Sequence, residues 1–211
     1  MSWFHRAIKF LFDRMVALLG LLVLGWLLVV VAIILKVKEP GEPVLFTQWR
    51  VGRHGKLFKI HKFRTMYLDQ EGPSVAYPVT GRVTPWGAKL RRYKIDELPE
   101  LWDVLIGTMS FVGPRPDVPG YADRLQGGDR KVLEMRPGIT GLATLKYKNE
   151  EAMLEKVVKE AKADGDQRSE TDIAVWYNDH VIYPDKVRLN LYYYQHYSFL
   201  LDLKILFQTV F

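Results

Sequence analysis

The sequence predicts an α+β chain, mostly helical: an N-terminal membrane helix, a small β-hairpin, and a helical domain with interfacial amphipathic helices. Three observations carry this. Met15 to Leu35 is an apolar run without a single charge, about the ~20 residues that cross a bilayer core. Two β-rich segments flank a basic, glycine-containing turn over 50–56. Helix-start signals then recur at Thr84-Pro85, Pro99 and Ser198. The division is an anchor over 1–38 and a domain over 39–211, the latter large enough for its own core.

The anchor helix is expected from about Phe4 to Lys36. Its apolar run is too long for a signal-peptide core and no small-x-small cleavage site follows, only the polar turn Glu39-Pro40-Gly41-Glu42-Pro43. Arg6, Lys9 and Arg14 precede the run, and Lys36 and Lys38 follow it, so the positive-inside rule finds little asymmetry. A crossing and a re-entrant path both fit. With no proline in the run, Gly20 and Gly25 are the expected points of any bend.

Strands are expected at 44–48 and 57–65, and a loop over 67–83. Thr84-Pro85 opens a helix to about Lys94, and Pro99 opens one over Glu100 to Ile106, which puts Asp96 and Glu97 at a helix N-terminus. Gly113-Pro114-Arg115-Pro116 reads as a rigid turn, Tyr121 to Met135 as a helix, and Arg136 to Gly141 as a tight loop. Helices follow at Ala152 to Ala163, Lys186 to His196 and, capped by Ser198, Phe199 to Phe211. The last is apolar enough to pack in the core or lie on a membrane.

The chain has no cysteine, which excludes disulfides, thiolate zinc sites and thiol nucleophiles. The formal net charge of +6 favours polyanionic partners: anionic lipid, nucleic acid or phosphorylated small molecules. The five histidines lack metal-ligand spacing, and no phosphate-binding glycine motif is present. Gly52-Arg53-His54-Gly55 reads as a plain hairpin turn. Tyr192-Tyr193-Tyr194 with Tyr197 reads as core packing or an interface belt ahead of base stacking.

An acidic pair such as Asp96-Glu97 at a helix start is most often a cap and a dipole partner. Here cations surround it. Arg91, Arg92 and Lys94 lie upstream, Arg115 and Arg136 sit in Pro/Gly turns, and Lys62 and Arg64 lie on a strand. Carboxylates among arginines suit a phosphate site with Mg2+, which takes one or two carboxylates plus phosphate oxygens. A carboxylate ionised at such a site can attack phosphorus and form an acyl-phosphate.

At these residues the chain resembles a known family. Phe46-Thr47-Gln48-x-Arg50-x-Gly52, Phe58-Lys59-Ile60-x-Lys62-Phe63-Arg64-Thr65-Met66, Ile95-Asp96-Glu97-Leu98-Pro99-Glu100-Leu101, Met109-Ser110-Phe111-Val112-Gly113-Pro114-Arg115-Pro116, Arg136-Pro137-Gly138-Ile139-Thr140-Gly141 and Ser198-Phe199-Leu200-Leu201-Asp202-Leu203-Lys204-Ile205 occur in one order. The ordered set, covering nearly the whole chain, resembles the small monotopic phosphoglycosyl transferases, bacterial enzymes that begin lipid-linked glycan assembly. The resemblance implies a UDP-sugar donor, a polyprenyl phosphate acceptor such as undecaprenyl phosphate, release of UMP, and membrane lipids as surroundings. It implies Asp96 as nucleophile, Glu97 as ligand of Mg2+, and Lys62, Arg64, Arg91, Arg115 and Arg136 on phosphates or donor. It also implies a re-entrant anchor in the bacterial inner membrane, with the catalytic domain and both ends of the anchor on the cytoplasmic face. The chain departs from the family pattern at three places. Gly25-Trp26 stands for Ser-Pro, Gly107-Thr108-Met109-Ser110 for Gly-Asp-Met-Ser, and Thr144 to Asn149 for Gln-Val-Asn-Gly-Arg-Asn.

Two rivals stand beside this reading: a membrane-tethered basic module for lipid or nucleic acid, and a non-catalytic scaffold of a glycan assembly complex. The first needs no carboxylate pair among its arginines, and no recognised nucleic-acid motif is present, so nucleic acid is not an expected partner. The intact Asp96-Glu97 pair opposes the second. The sequence leaves open the sugar, the glycan pathway, any oligomer and the role of residues 144–182.

Overall fold

The computed structural model describes residues 3–67 and 82–211. The loop expected over 67–83 lies almost wholly outside the described residues; of its ends, Met66 and Val83 meet in an isolated antiparallel bridge.

Helix α1 runs from Trp3 to Lys38, 36 residues and about 54 Å at the usual rise. It passes through Gly20 and Gly25 as one continuous helix. The lack of proline in the run leaves the hydrogen-bond ladder unbroken despite the two glycines and several β-branched residues. The helix lies along the domain. Ala17 packs with Ile60, Val104 and Met109, while Val31 and Leu35, farther along, pack with Phe63 and Leu90. The opposite face, including Leu22, Trp26 and Ile33, is exposed and apolar.

β1 (Leu45–Val51) and β2 (Leu57–Phe63) form an antiparallel hairpin with Val51 opposite Leu57 and Leu45 opposite Phe63. Strand alternation puts Phe58, Ile60 and Lys62 on one face. Ile60 is in the core, so Lys62 is turned inward with it. Just after β2, Arg64 is buried and tied to the linker by ion pairs with Glu39 (2.8 Å) and Glu42 (2.7 Å).

Thr84 caps α2 (Pro85–Arg92), its Oγ1 accepting from the Gly87 N–H at 2.9 Å. The helix stops short of Lys94, which takes a left-handed conformation (φ 55°) and leads into a 3-10 turn over Ile95–Glu97. α3 (Glu100–Ile106) follows and ends on Gly107 at φ 93°.

Four expectations give way here. Within the segment read as a loop over 136–141, Gly138–Thr140 is a strand, β4, parallel to β3 (Ser110–Val112). Three-residue strands carry no readable period. Their approach needs glycine, because a Cβ on Gly138 would lie 2.2 Å from the Gly113 nitrogen. The helix expected over 121–135 is two 3-10 segments, Ala122–Arg124 and Asp129–Glu134, broken where Gly127 adopts φ 53°. A short helix, α4 (Leu142–Lys146), was not anticipated. Nor was α6 (Glu170–Tyr177), which continues through one π-helical turn into α7 (Tyr183–Gln195). Between them lies α5 (Glu150–Ala163), packed on α6 through Leu154, Val158, Ile173 and Ala174.

The last helix, α8 (Phe199–Val210), is capped by Ser198 and buries Ile205 against Val112 and Tyr193. Its Asp202 is buried and receives Lys9 of α1 at 2.6 Å. Leu200, Phe207 and Val210 remain exposed, an apolar face of the interfacial kind.

Candidate active site

Asp96 and Glu97 share the 3-10 turn between α2 and α3. Asp96 is only 8% exposed, and its Oδ1 is buried without a hydrogen-bond partner among the described residues. Glu97 is the opposite case. Its Oε1 accepts from Lys62 Nζ and from Arg115 Nη2, each at 2.6 Å. Lys62 Nζ also lies 3.0 Å from Glu100 Oε1 in the first turn of α3. The hairpin supplies Lys62, the turn after β3 supplies Arg115, and the α2–α3 corner supplies the carboxylates.

The two neighbours are tuned in opposite directions. Burial pushes the Asp96 carboxyl up, with Glu97 adding repulsion, while Lys62, Lys94 and Arg91 pull the other way. Burial would also raise Glu97, but the charges and hydrogen bonds of Arg115 and Lys62 outweigh it and hold Glu97 well below the ordinary range. Glu100 is raised, chiefly by burial. Glu97 is therefore a fixed anion locked by two cations. Asp96 keeps an oxygen that receives no hydrogen bond from the described residues.

The other candidates divide by place. Arg91 acts on Asp96 electrostatically and pairs with Glu151, which brings the first turn of α5 to the site. Arg64 is committed to Glu39 and Glu42 in the linker. Arg136 lies toward the other end of α3, its Nε donating to the Gly107 carbonyl at 3.0 Å.

Sequence reasoning did not single out Glu100, although its i+3 spacing from Glu97 was a usable signal. It also missed a polar group beside the site. Lys186 of α7 bonds Glu150 of α5 at 2.7 Å. Asp117, directly after the Gly-Pro-Arg-Pro turn, has its carboxyl pushed up to about 6 by burial, against the pull of Lys186 and Arg50. Glu150 also acts electrostatically on Arg115, so part of the 144–182 region walls the site.

Among the described residues no three His, Cys, Asp or Glu side chains form a closed metal cage. The donor set instead fits an open magnesium site. Glu97 is held ionised and could take one position on such an ion, the others being left for water and phosphate oxygens.

Comparison with known proteins gives a consistent result. A family model described as bacterial sugar transferase matches residues 4–211. A Bacillus subtilis protein provisionally named as an undecaprenyl-phosphate N-acetylgalactosaminyl 1-phosphate transferase is 41% identical over 141 residues, 61% of this chain and 78% of its own length. The Rhizobium leguminosarum exopolysaccharide production protein PSS is 35% identical over 212 residues, 96% of this chain and 93% of its own. The Escherichia coli UDP-glucose:undecaprenyl-phosphate glucose-1-phosphate transferase is 33% identical over 221 residues, 100% of this chain but 41% of its own. The chain thus spans nearly all of the Rhizobium protein and less than half of the Escherichia coli one.

Proposed function

Because the chain belongs to the bacterial sugar transferase family, its model match covering residues 4–211, we propose that it moves a sugar 1-phosphate from a UDP-sugar to undecaprenyl phosphate, an early membrane step of glycan assembly. Two relatives named for undecaprenyl-phosphate sugar-phosphate transfer support the substrates, and the Rhizobium name supports an exopolysaccharide setting. The observation that carries the chemistry is the contrast between an unpartnered Asp96 oxygen and a doubly clamped Glu97.

In this mechanism an Asp96 oxygen attacks the phosphorus that bears the sugar. The bond from that phosphorus to the bridging oxygen breaks, and UMP leaves with the electron pair. The intermediate is an aspartyl phosphosugar. An oxygen of undecaprenyl phosphate then attacks the same phosphorus, the carboxylate of Asp96 is released, and undecaprenyl diphosphate sugar forms. Both nucleophiles are anions, so no general base is needed. Arg91 and Arg115 face the diphosphate, and Arg91 exchanges Glu151 for a phosphate oxygen when the donor enters. Lys62 keeps Glu97 and Glu100 in register. Glu97 would hold Mg2+, which supplies neutralisation of the diphosphate charge.

The long apolar helix associates the chain with a membrane. We place the domain on the cytoplasmic face of the bacterial inner membrane, where nucleotide sugars are made. α1 touches the domain near both ends, at Lys9 and at Leu35. A helix held this way lies along the domain in one leaflet, monotopic, with Trp26 and its neighbours toward lipid.

The test is UMP release by the purified full chain from a panel of UDP-sugars, with and without undecaprenyl phosphate. Turnover that requires the lipid, with one sugar preferred, supports the reading. No UMP from any donor with lipid and Mg2+ present contradicts it.

A further inference from the structure

Three arginines meet at the far end of α3 from the carboxylate pair. Arg14 of α1 and Arg136 after the second 3-10 segment both stack on the Phe10 ring, their Cζ atoms 3.3 and 4.8 Å from its centroid. Arg53 of the hairpin turn is close enough to repel Arg136 and lines one cavity with it. Such a concentration of guanidinium groups is unfavourable unless anions balance it.

Among the described residues this charge is only partly balanced: Asp13 acts on both Arg14 and Arg136 but forms an ion pair with neither. Each arginine finds a backbone carbonyl: Arg14 that of Phe10 (3.0 Å), Arg53 that of Glu134 (2.9 Å) and Arg136 that of Gly107 (3.0 Å). None forms an ion pair among the described residues, in a chain where Arg64, Arg91, Arg115, Arg168 and Arg188 all do. The nearby carboxylates are engaged elsewhere. Asp13 takes the Ser110 hydroxyl at 2.7 Å, Glu134 takes Tyr194 (2.6 Å) and Arg6 (3.6 Å), and Asp202 takes Lys9 at 2.6 Å. Arg14 Nη2 is buried with no hydrogen-bond partner, packed where a side chain on Gly107 would stand.

The surroundings identify the missing anion. Phe10 on α1, which carries two of the guanidiniums, and Ile106 on α3, next to the Gly107 that Arg14 and Arg136 meet, are exposed apolar side chains, and Leu11 follows Phe10 in sequence. A free nucleotide or sugar phosphate gains nothing from such a rim, whereas a lipid places its phosphate on the cations and its chains on the rim. We propose that Arg14, Arg53 and Arg136 form a binding site for the phosphate headgroup of an anionic bilayer glycerophospholipid. α3 is seven residues long, about 10 Å, and the site lies at its C-terminal end. A phosphate here is therefore remote from Asp96 and is not a reacting group. The bound lipid anchors the domain's height and tilt on the bilayer, independently of the transfer reaction.

The full chain in neutral detergent is titrated with dioctanoyl phosphatidylglycerol, dioctanoyl phosphatidylcholine or inorganic phosphate. Binding is read by native mass spectrometry and by the shift in unfolding temperature. Phosphatidylglycerol should bind and raise the unfolding temperature, while phosphatidylcholine and millimolar phosphate do neither. Arg14→Gln and Arg136→Gln should each weaken phosphatidylglycerol binding at least fivefold. Arg136→Lys should weaken it less, and Lys156→Gln on α5 not at all. Equal binding of the two lipids overturns the proposal, as does unchanged phosphatidylglycerol binding in Arg136→Gln. Full displacement of lipid by inorganic phosphate would mark a free-phosphate site and overturn it too. The wild-type lipid comparison stands even if a variant fails to fold.

Discussion

Asp96 and Glu97 are consecutive residues of one 3-10 turn, yet their carboxyls are pushed in opposite directions: Asp96 up by burial, Glu97 down by Lys62 and Arg115. The difference arises from side-chain direction. Glu97 reaches the two cations, whereas an oxygen of Asp96 is enclosed without a donor. One turn thereby holds one carboxylate locked by two cations and one with an oxygen that has no donor among the described residues.

Lys62 is the shared counter-ion of Glu97 and Glu100. Lys62→Met leaves Glu100 buried without its cation, and should cost about 3–5 kcal/mol of stability. Adding Glu100→Gln removes the stranded carboxylate and should recover part of that loss. Urea unfolding of the single and double variants checks the coupling; an equal loss in both would show that Lys62 does not act through Glu100.

Glu97→Gln should slow UMP release by on the order of 100-fold or more, and a chelator should do the same to the wild type, since both remove charge neutralisation at the diphosphate. Mg2+ added back should rescue the chelated wild type but not the variant. Full activity in excess chelator would contradict the metal role.

Arg64 is buried in the linker with two acidic partners. Arg64→Met should lower stability by about 3 kcal/mol and leave the KM for donor in the folded protein nearly unchanged. A large rise in KM without loss of stability would instead put Arg64 on the donor.

Asp117 gives a pH dependence with a definite sign. Its carboxyl is raised from 3.8 to about 6 in the folded protein, so the folded state holds the proton more tightly than the unfolded one. The associated stability is present below pH 4, is lost as pH rises to 6 and stays lost above. The size is on the order of 3 kcal/mol. Asp117→Asn should flatten unfolding free energy between pH 4 and 6.5. An unchanged slope would show that another group carries the dependence.

The hairpin, α2, α3 and α8 were legible because each carries a local signal: alternation, a capping hydroxyl or a proline at the helix start. β3 and β4 were not, since three-residue strands pair through backbone contact at Gly113 and Gly138 and show no period. The break at Gly127 was signalled by the Gly127-Gly128 pair, a turn marker that the helical reading of 121–135 passed over. The docking of α1 along the domain depends on nonlocal packing of Ala17 and Leu35, which no property of the apolar run encodes. At the site, sequence reasoning grouped Asp96, Glu97, Lys62 and Arg115, and the fold brings these together. It grouped Arg64 and Arg136 with them, and the fold gives those two other partners, because which carboxylate or carbonyl an arginine meets is decided by chain topology.

The covalent step separates transfer through Asp96 from direct transfer between the two substrates, and a single-turnover experiment reads it. The full chain is mixed with Mg2+ and its UDP-sugar in the absence of undecaprenyl phosphate, then followed by intact mass, peptide mapping and UMP release. The account predicts a mass increase of one sugar phosphate, located on Asp96, with about one UMP per protein in a single burst and neither in Asp96→Asn. UMP appearing only when undecaprenyl phosphate is added, with the protein mass unchanged throughout, would contradict it and indicate direct transfer between the two substrates.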